Sequence, residues 1–159
     1  MAIRIAILTI SDLCSQGKRA DTSGQTIERM LPKETFEVCE KKIVPDDYET
    51  ISEALRQFSD EQKMKIVITT GGTGLGPRDV TPEATMAVSD RPVPGLSEIL
   101  RCESYKKTPN AMLSRGVSVM RDNTLIINLP GSPKAVRECM EIILEVLPHA
   151  VDMMLGGGH

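Results

Sequence analysis

Four glycines, Gly71, Gly72, Gly74 and Gly76, fall within six positions directly after the apolar run "KIVITT", and Arg78, Asp79, Thr81 and Pro82 follow at once. Glycine permits positive φ and lets backbone N–H groups approach a phosphate with no Cβ in the way. The loop nevertheless matches neither common phosphate motif. Gly71 and Gly76 have the glycine spacing of a P-loop, but Pro77 and Arg78 stand where Lys and Ser or Thr belong. Gly72 and Gly74 start a dinucleotide-binding pattern whose third glycine is replaced by Pro77. The plainer alternative is a glycine-rich turn that joins a strand to a helix.

Two carboxylates sharpen the choice. Asp79 stands just before a helix signal, and Asp46 of "IVPDD" closes an earlier strand in the same way. Carboxylates at strand ends offer the hard oxygen ligands of a Mg²⁺-nucleotide site and leave room for water and phosphate oxygens. Each also has a bland reading. Asp79 reads as half of a surface ion pair with Arg78, which contributes little, and Asp46 as a turn residue after Pro45. Other chemistries lack parts: His149 and His159 are the only histidines, and Cys14, Cys39, Cys102 and Cys139 are scattered without a C-x-x-C pair. A Ser-His-Asp triad, a Cys-His pair, a zinc site and a disulfide framework are therefore set aside.

These residues need elements to position them. "IRIAILTI" (3–10) is a nearly continuous apolar run, expected of a strand covered on both faces. The polar "SDLCSQGKRADTSG" reads as a long loop. Ile27, Met30 and Leu31 form a helical face ended by Pro32, and "FEVCEKKIV" (36–44) is a less buried strand stopped by Pro45. Asp47 is placed to cap a helix with Ile51, Leu55 and Phe58 inward. "KIVITT" is the third strand. Thr81 as N-cap with Pro82 at the first helical position starts another helix, and one more follows Pro94 with Leu96, Ile99 and Leu100 inward. "VSVM" and "TLIINLP" form a hairpin around Arg121, Asp122 and Asn123. A last helix begins near Ser132 and Pro133, is interrupted at Pro148, and leads to a flexible "GGGH" tail.

The expected fold is an α/β three-layer α/β/α sandwich with a mostly parallel sheet and a possible antiparallel edge pair, in one domain spanning 1–159. In such sheets ligands lie beyond the carboxyl ends of the strands. Three stretches fall there and can converge on one cleft: Ser11 with Asp12, the loop 71–79, and 128–132. A net charge of −3 gives no reason to expect nucleic acid or an anionic membrane as partner, and no apolar run approaches the length of a span. "MAIRIAILTI" lacks a secretory cleavage pattern, so a cytoplasmic protein with small-molecule partners is expected.

At "TTGGTGLGPRDVTPEAT", "ISD" with "DTSG" downstream, "IVPDD", "MLSR" and "LIINLPGSPKAV", in that order, the chain resembles the molybdopterin adenylyltransferases of the Mog and MoaB type, and the G domains of plant and animal cofactor-insertion proteins. The resemblance runs from Ile3 to about Leu155, and "PGLSEILRCESYKKTPNAMLSR" looks closer to the Mog and G-domain pattern. It implies transfer of AMP from Mg-ATP to the terminal phosphate of molybdopterin. It also implies Asp46 and Asp79 as the essential pair that holds Mg²⁺, and Gly71, Gly72, Thr73 and Gly74 along the nucleotide phosphates. Ser114, Asn128, Gly131 and Ser132 fall on the nucleotide or pterin phosphate, and Ser11 and Asp12 on the pterin side. Ser114 and Ser132 also read as caps, Asn128 as a satisfier of backbone groups, and Arg115 as a structural ion-pair partner. The same resemblance implies a homotrimer and hand-over to a molybdenum-insertion protein. The competing class is a non-catalytic MoaB-type pterin carrier.

Overall fold

Side chains of the central strands are almost all buried and alternate between two cores, and that period of two determines the architecture. The computed structural model describes residues 1–158. In β1 (Ile3–Ile10), Ile5 and Ile7 face one core while Ala6, Leu8 and Ile10 face the other. β3 (Ile66–Thr70) and β6 (Thr124–Leu129) repeat the alternation, with Ile66, Ile68, Leu125, Ile127 and Leu129 on the first side and Val67 and Ile126 on the second. A one-residue slip would turn every one of these side chains to the wrong face, which is why the register is strongly specified.

Among the described residues the strands form one six-stranded sheet in the order β2-β1-β3-β6-β5-β4, with β2 (Phe36–Val44), β5 (Ser118–Arg121) and the two-residue β4 (Arg91–Pro92) completing it. β2, β1, β3 and β6 are parallel, and β5 and β4 add an antiparallel edge. The less buried β2 is the opposite edge. The hairpin closes on Asp122 and Asn123 alone, because Arg121 pairs with Thr124, and Asp122 takes the positive φ (49°) that such a tight turn requires.

Helices cover both faces. α2 (Thr22–Met30), α5 (Pro94–Tyr105), α6 (Pro133–Ile143) and α7 (Leu147–Met154) cover the first, through residues such as Ile27, Leu100, Met140 and Leu147. α3 (Tyr48–Arg56) and α4 (Thr81–Ala87) cover the second, through Ile51, Leu55 and Ala84. The three-layer sandwich with a mostly parallel sheet is therefore the observed fold. Asp47 caps α3 as expected, accepting from Thr50 N at 2.9 Å. Pro148 sits in the first turn of α7, so the interruption separates two helices.

Several local expectations need correction. The polar loop after β1 contains a helical turn, α1 (Asp12–Ser15), because Ser11 Oγ accepts from Cys14 N at 3.1 Å and caps it. Val80, not Thr81, holds the N-cap position of α4, since the Thr81 hydroxyl is drawn to the Gly71 carbonyl. Ile99 is exposed while Ser97 and Leu100 face inward. The glycines of the tail wind back onto α7, where Gly157 N donates to Asp152 O at 2.8 Å; His159 lies outside the described residues. Cys139 is core, and burial pushes its thiol up to about 11, which leaves it inert.

Candidate active site

Because β2, β1, β3 and β6 are parallel, their carboxyl ends share one edge of the sheet, and β1 is the strand from which the chain departs to both sides. Ser11 follows β1, Asp46 follows β2, Gly71 follows β3, and Pro130 with Gly131 follows β6. Polar side chains at these ends tie the loops together. Thr9 donates to Asp21 Oδ2 at 2.8 Å, Thr70 to Pro130 O at 2.7 Å, and Ser23 to Gly131 O at 2.6 Å.

Asp12 and Asp46 are locked reciprocally. Asp12 N donates to Asp46 Oδ2 at 2.9 Å, and Asp46 N to Asp12 Oδ1 at 3.0 Å. Arg78 does not pair with its neighbour Asp79. It reaches Asp12 with two bonds, Nε to Oδ2 at 2.6 Å and Nη2 to Oδ1 at 3.0 Å. That guanidinium, followed by the Asp46 amide, holds the Asp12 carboxyl below its ordinary range. The clamp joins the loops after β1, β2 and β3, and it leaves Asp79 beside the glycines, its Oδ2 accepting from Gly76 N at 2.9 Å.

Gly71 and Gly72 have φ of +100° and +69°, and neither has room for a side chain. A Cβ on Gly71 would run into the Ile10 carbonyl, and one on Gly72 into the Thr81 hydroxyl with Asp46 Oδ1 at 3.2 Å. Glycine is thus needed both for conformation and for close approach. The N–H groups of Gly72, Thr73, Gly74 and Leu75 make no hydrogen bond among the described residues. Unpartnered donors grouped in one loop form a ready anion site.

Two cavities open on either side of this loop. One, about 490 Å³, is lined by Ser11, Arg19, Thr22, Asp46 and Ser132. The other, about 460 Å³, is more apolar, with Leu100, Ala111, Leu113 and Ala135 beside Arg101, Ser104, Ser114 and Glu138. Gly72, Asp79 and Gly131 line both, so the glycine loop is where the two chambers meet.

The expected site residues divide on inspection. Gly71, Gly72, Thr73, Gly74, Asp46, Asp79 and Gly131 come together around the junction; Ser11 and Ser132 line one chamber and also cap α1 and α6. Ser114 lines the other. Asp12 lines neither and serves the clamp. Asn128 reaches the apolar chamber, but its side chain is committed: Oδ1 accepts from Val117 N at 3.1 Å, and Nδ2 donates to Thr69 and Thr85 hydroxyls at 3.0 Å each. Asn128→Ala removes three hydrogen bonds, those to the half-buried Val117 N and to the buried Thr69 and Thr85 hydroxyls, so a loss of roughly 2–4 kcal/mol in urea-unfolding stability is expected. A neutral result would show those partners satisfied elsewhere. Residues that sequence reasoning did not single out include Asp21, Ser23, Arg101 and Glu138. "DTSG" carried the signal for the first two; Arg101 lies within "PGLSEILRCESYKKTPNAMLSR", while Glu138 sits on an ordinary helical stretch and carried none.

Asp46 is half-buried, and burial raises its carboxyl above the ordinary value, helped by the like charges of Asp12 and Asp79 and opposed by the Asp12 amide and Arg78. A carboxyl with a raised folded pKa binds its proton more tightly folded than unfolded, so its contribution to stability falls as pH rises through that range. At neutral pH the cost is fully present. Asp46→Asn keeps an acceptor for Asp12 N and removes the charge, so it is expected to melt above the wild type at pH 7 without ligand, the gain shrinking as pH falls below the carboxylate range. A lower melting temperature at pH 7 would show that the charge is not a cost.

Residues 6–149 match the family described as "Probable molybdopterin binding domain". The molybdopterin adenylyltransferase of Helicobacter pylori strain J99 is 42% identical over 156 residues, covering 97% of this chain and 89% of that protein. The molybdenum cofactor synthesis protein cinnamon of Drosophila melanogaster is 46% identical over 155 residues, covering 96% of this chain; the chain spans about a quarter (26%) of that relative. Among solved structures, the molybdopterin biosynthesis enzyme MoaB of Thermus thermophilus superposes with a TM-score of 0.91 at 48% identity, covering 97% of each chain.

Proposed function

The chain belongs to this molybdopterin-binding family, and from that premise we propose that it transfers AMP from ATP to the terminal phosphate of molybdopterin, releasing pyrophosphate, as a step of molybdenum cofactor biosynthesis. The observation that carries the reading is the pair of chambers meeting over unpartnered loop amides, with Asp46 and Asp79 beside them. Two substrates joined through phosphates need that layout.

In the reaction a terminal phosphate oxygen of molybdopterin bonds to the α-phosphorus of ATP, and the bond from that phosphorus to the bridging oxygen of pyrophosphate breaks. A phosphate monoester is largely ionised at neutral pH, with its second pKa near about 6, so no strong general base is required. The protein's task is in-line alignment and stabilisation of negative charge. In this reading Gly71, Gly72, Thr73 and Gly74 receive the nucleotide phosphates, Ser114, Gly131 and Ser132 flank the phosphate track, and Ser11 lies on the pterin side. Asn128 shapes the wall, and Asp12 orients Asp46.

The residues present fit a Mg²⁺ ion. Asp46 and Asp79 each commit Oδ2 to a backbone N–H and keep Oδ1 without a hydrogen bond among the described residues. Among the described residues no group of three or more acidic, histidine or cysteine side chains is placed to hold a metal, and the Asp12 carboxylate is taken up by Arg78, so Asp46 and Asp79 suit an ion completed by phosphate oxygens and water. Bound there, Mg²⁺ would neutralise phosphate charge.

Residues 1–159 act as one domain in this reading, in the cytoplasm, as a homotrimer that hands its product to a molybdenum-insertion protein. No helix among the described residues is long and apolar enough to cross a membrane. The test is to mix the protein with molybdopterin and Mg-ATP and assay pyrophosphate and adenylylated pterin. Stoichiometric formation of both supports the transferase; pterin binding without pyrophosphate release favours a carrier.

A further inference from the structure

Four successive carbonyls of the glycine loop are held by two residues. Thr81 donates its hydroxyl to Gly71 O at 2.9 Å and its backbone N–H to Gly72 O at 3.2 Å. Arg115 donates its backbone N–H to Thr73 O at 2.8 Å and Nε to Gly74 O at 2.8 Å. The same guanidinium reaches Asp79 O through Nη2 at 2.7 Å and Glu83 through Nη1 at 2.6 Å, so both residues are fixed against the first turn of α4.

A planar trans peptide places its N–H opposite its C=O, and the chain contains no cis bond. Holding the carbonyls of Gly71, Gly72, Thr73 and Gly74 therefore turns each following N–H group, those of Gly72, Thr73, Gly74 and Leu75, away from the residue that holds the carbonyl. None of these four donors has a partner among the described residues. A loop with two glycines at positive φ would otherwise sample many orientations, each peptide flipping at little cost.

We propose that Thr81 and Arg115 are positioning residues that aim four consecutive loop amides at one phosphate group of a polyphosphate ligand; this rests on the reading that the loop receives phosphates, not on turnover. Arg115 acts by geometry. Its charge is occupied by Glu83, and its fork bridges two carbonyls that a lysine ammonium cannot span together. A donor fixed in place before binding contributes without reorganisation, whereas a mis-aimed one is worth far less.

The probe is inorganic pyrophosphate, titrated into ¹⁵N-labelled protein with amide shifts followed, and affinity measured by calorimetry. In the wild type the amide signals of Gly72, Thr73, Gly74 and Leu75 are expected to move together. Arg115→Ala and Arg115→Lys are both expected to weaken pyrophosphate by about tenfold or more, since losing the aim of one hydrogen bond to a charged group costs about that factor. Thr81→Val is expected to weaken it similarly and Thr81→Ser to bind as the wild type. The Thr81 pair decides the matter if Arg115→Ala does not fold. Wild-type affinity in Arg115→Lys, pyrophosphate binding that leaves these amides unmoved, or no pyrophosphate binding at all would overturn the proposal. Moving amides and the stated variant order, together with no adenylylated pterin, would leave it standing and remove the proposed function instead.

Discussion

Asp79→Asn is expected to reduce adenylylation by at least about 10³-fold while leaving molybdopterin binding close to that of the wild type. The argument is electrostatic. Asp79 lines both chambers where they meet, and its Oδ2 is tied to Gly76 N, so the remaining oxygen is fixed in the space the phosphates would occupy. A bare carboxylate there would repel phosphate; it becomes useful only with a cation between them, and an amide cannot take that part. Charge stabilisation by a preorganised group accounts for roughly 10²–10³-fold in rate where single donors have been removed, and loss of the Mg²⁺ proposed to bind there would add to that. Fluorescence titration with molybdopterin and a pyrophosphate-release assay separate binding from turnover. Normal turnover by the variant would remove Asp79 from the reaction.

Gly71→Ala is expected to cost about 3 kcal/mol or more of stability, from a left-handed backbone combined with a steric clash. The clash is with a main-chain atom, the Ile10 carbonyl at the end of central β1, so no side-chain rotation relieves it. Gly71 N also bonds to Leu129 O at 3.2 Å, and a shift of the loop would loosen its link to β6. For a domain of this size each kcal/mol moves the midpoint by about 2–4 °C, so thermal melts resolve the effect readily. Gly95→Ala is the control. Nothing lies within 4 Å of a Cβ there, and the melting temperature should be unchanged or slightly raised. Equal melting of Gly71→Ala and the wild type would show that the loop rearranges freely.

The layers were legible because burial leaves a direct mark on residue type. "IRIAILTI" and "TLIINL" belong to strands covered on both faces, and "FEVCEKKIV", with its interspersed charges, to an edge. The convergence of the stretches after β1, β2, β3 and β6 followed from a parallel sheet, where all carboxyl ends share one edge. Short-range rules misled at Thr81, whose N-terminal helix position suggested a cap. Its hydroxyl serves the Gly71 carbonyl, and no local pattern encodes a partner ten residues away in a loop. The flanking expectation for Ile99 failed because a helix over a sheet edge buries a narrow stripe, with Ser97 and Leu100 on it.

Arg78 and Asp79 show the division most clearly. Their adjacency suggested an ion pair, yet neighbouring residues in a loop point in different directions, and Arg78 spans to Asp12, 66 positions earlier, while Asp79 turns to the glycines. Sequence alone determined the order of most strands and helices along the chain, a glycine-rich loop at the end of a strand, and the two carboxylates worth testing. Those are properties of single residues and their periods. Tertiary structure decided which groups are spent on holding the site and which face into it: Asp12, Asn128, Thr81 and Arg115 are bonded into the frame, while the loop amides and one oxygen each of Asp46 and Asp79 are left over. Hydrogen-bond satisfaction is a property of the assembled set, because a buried donor or acceptor is committed only once a partner from a distant segment has arrived beside it.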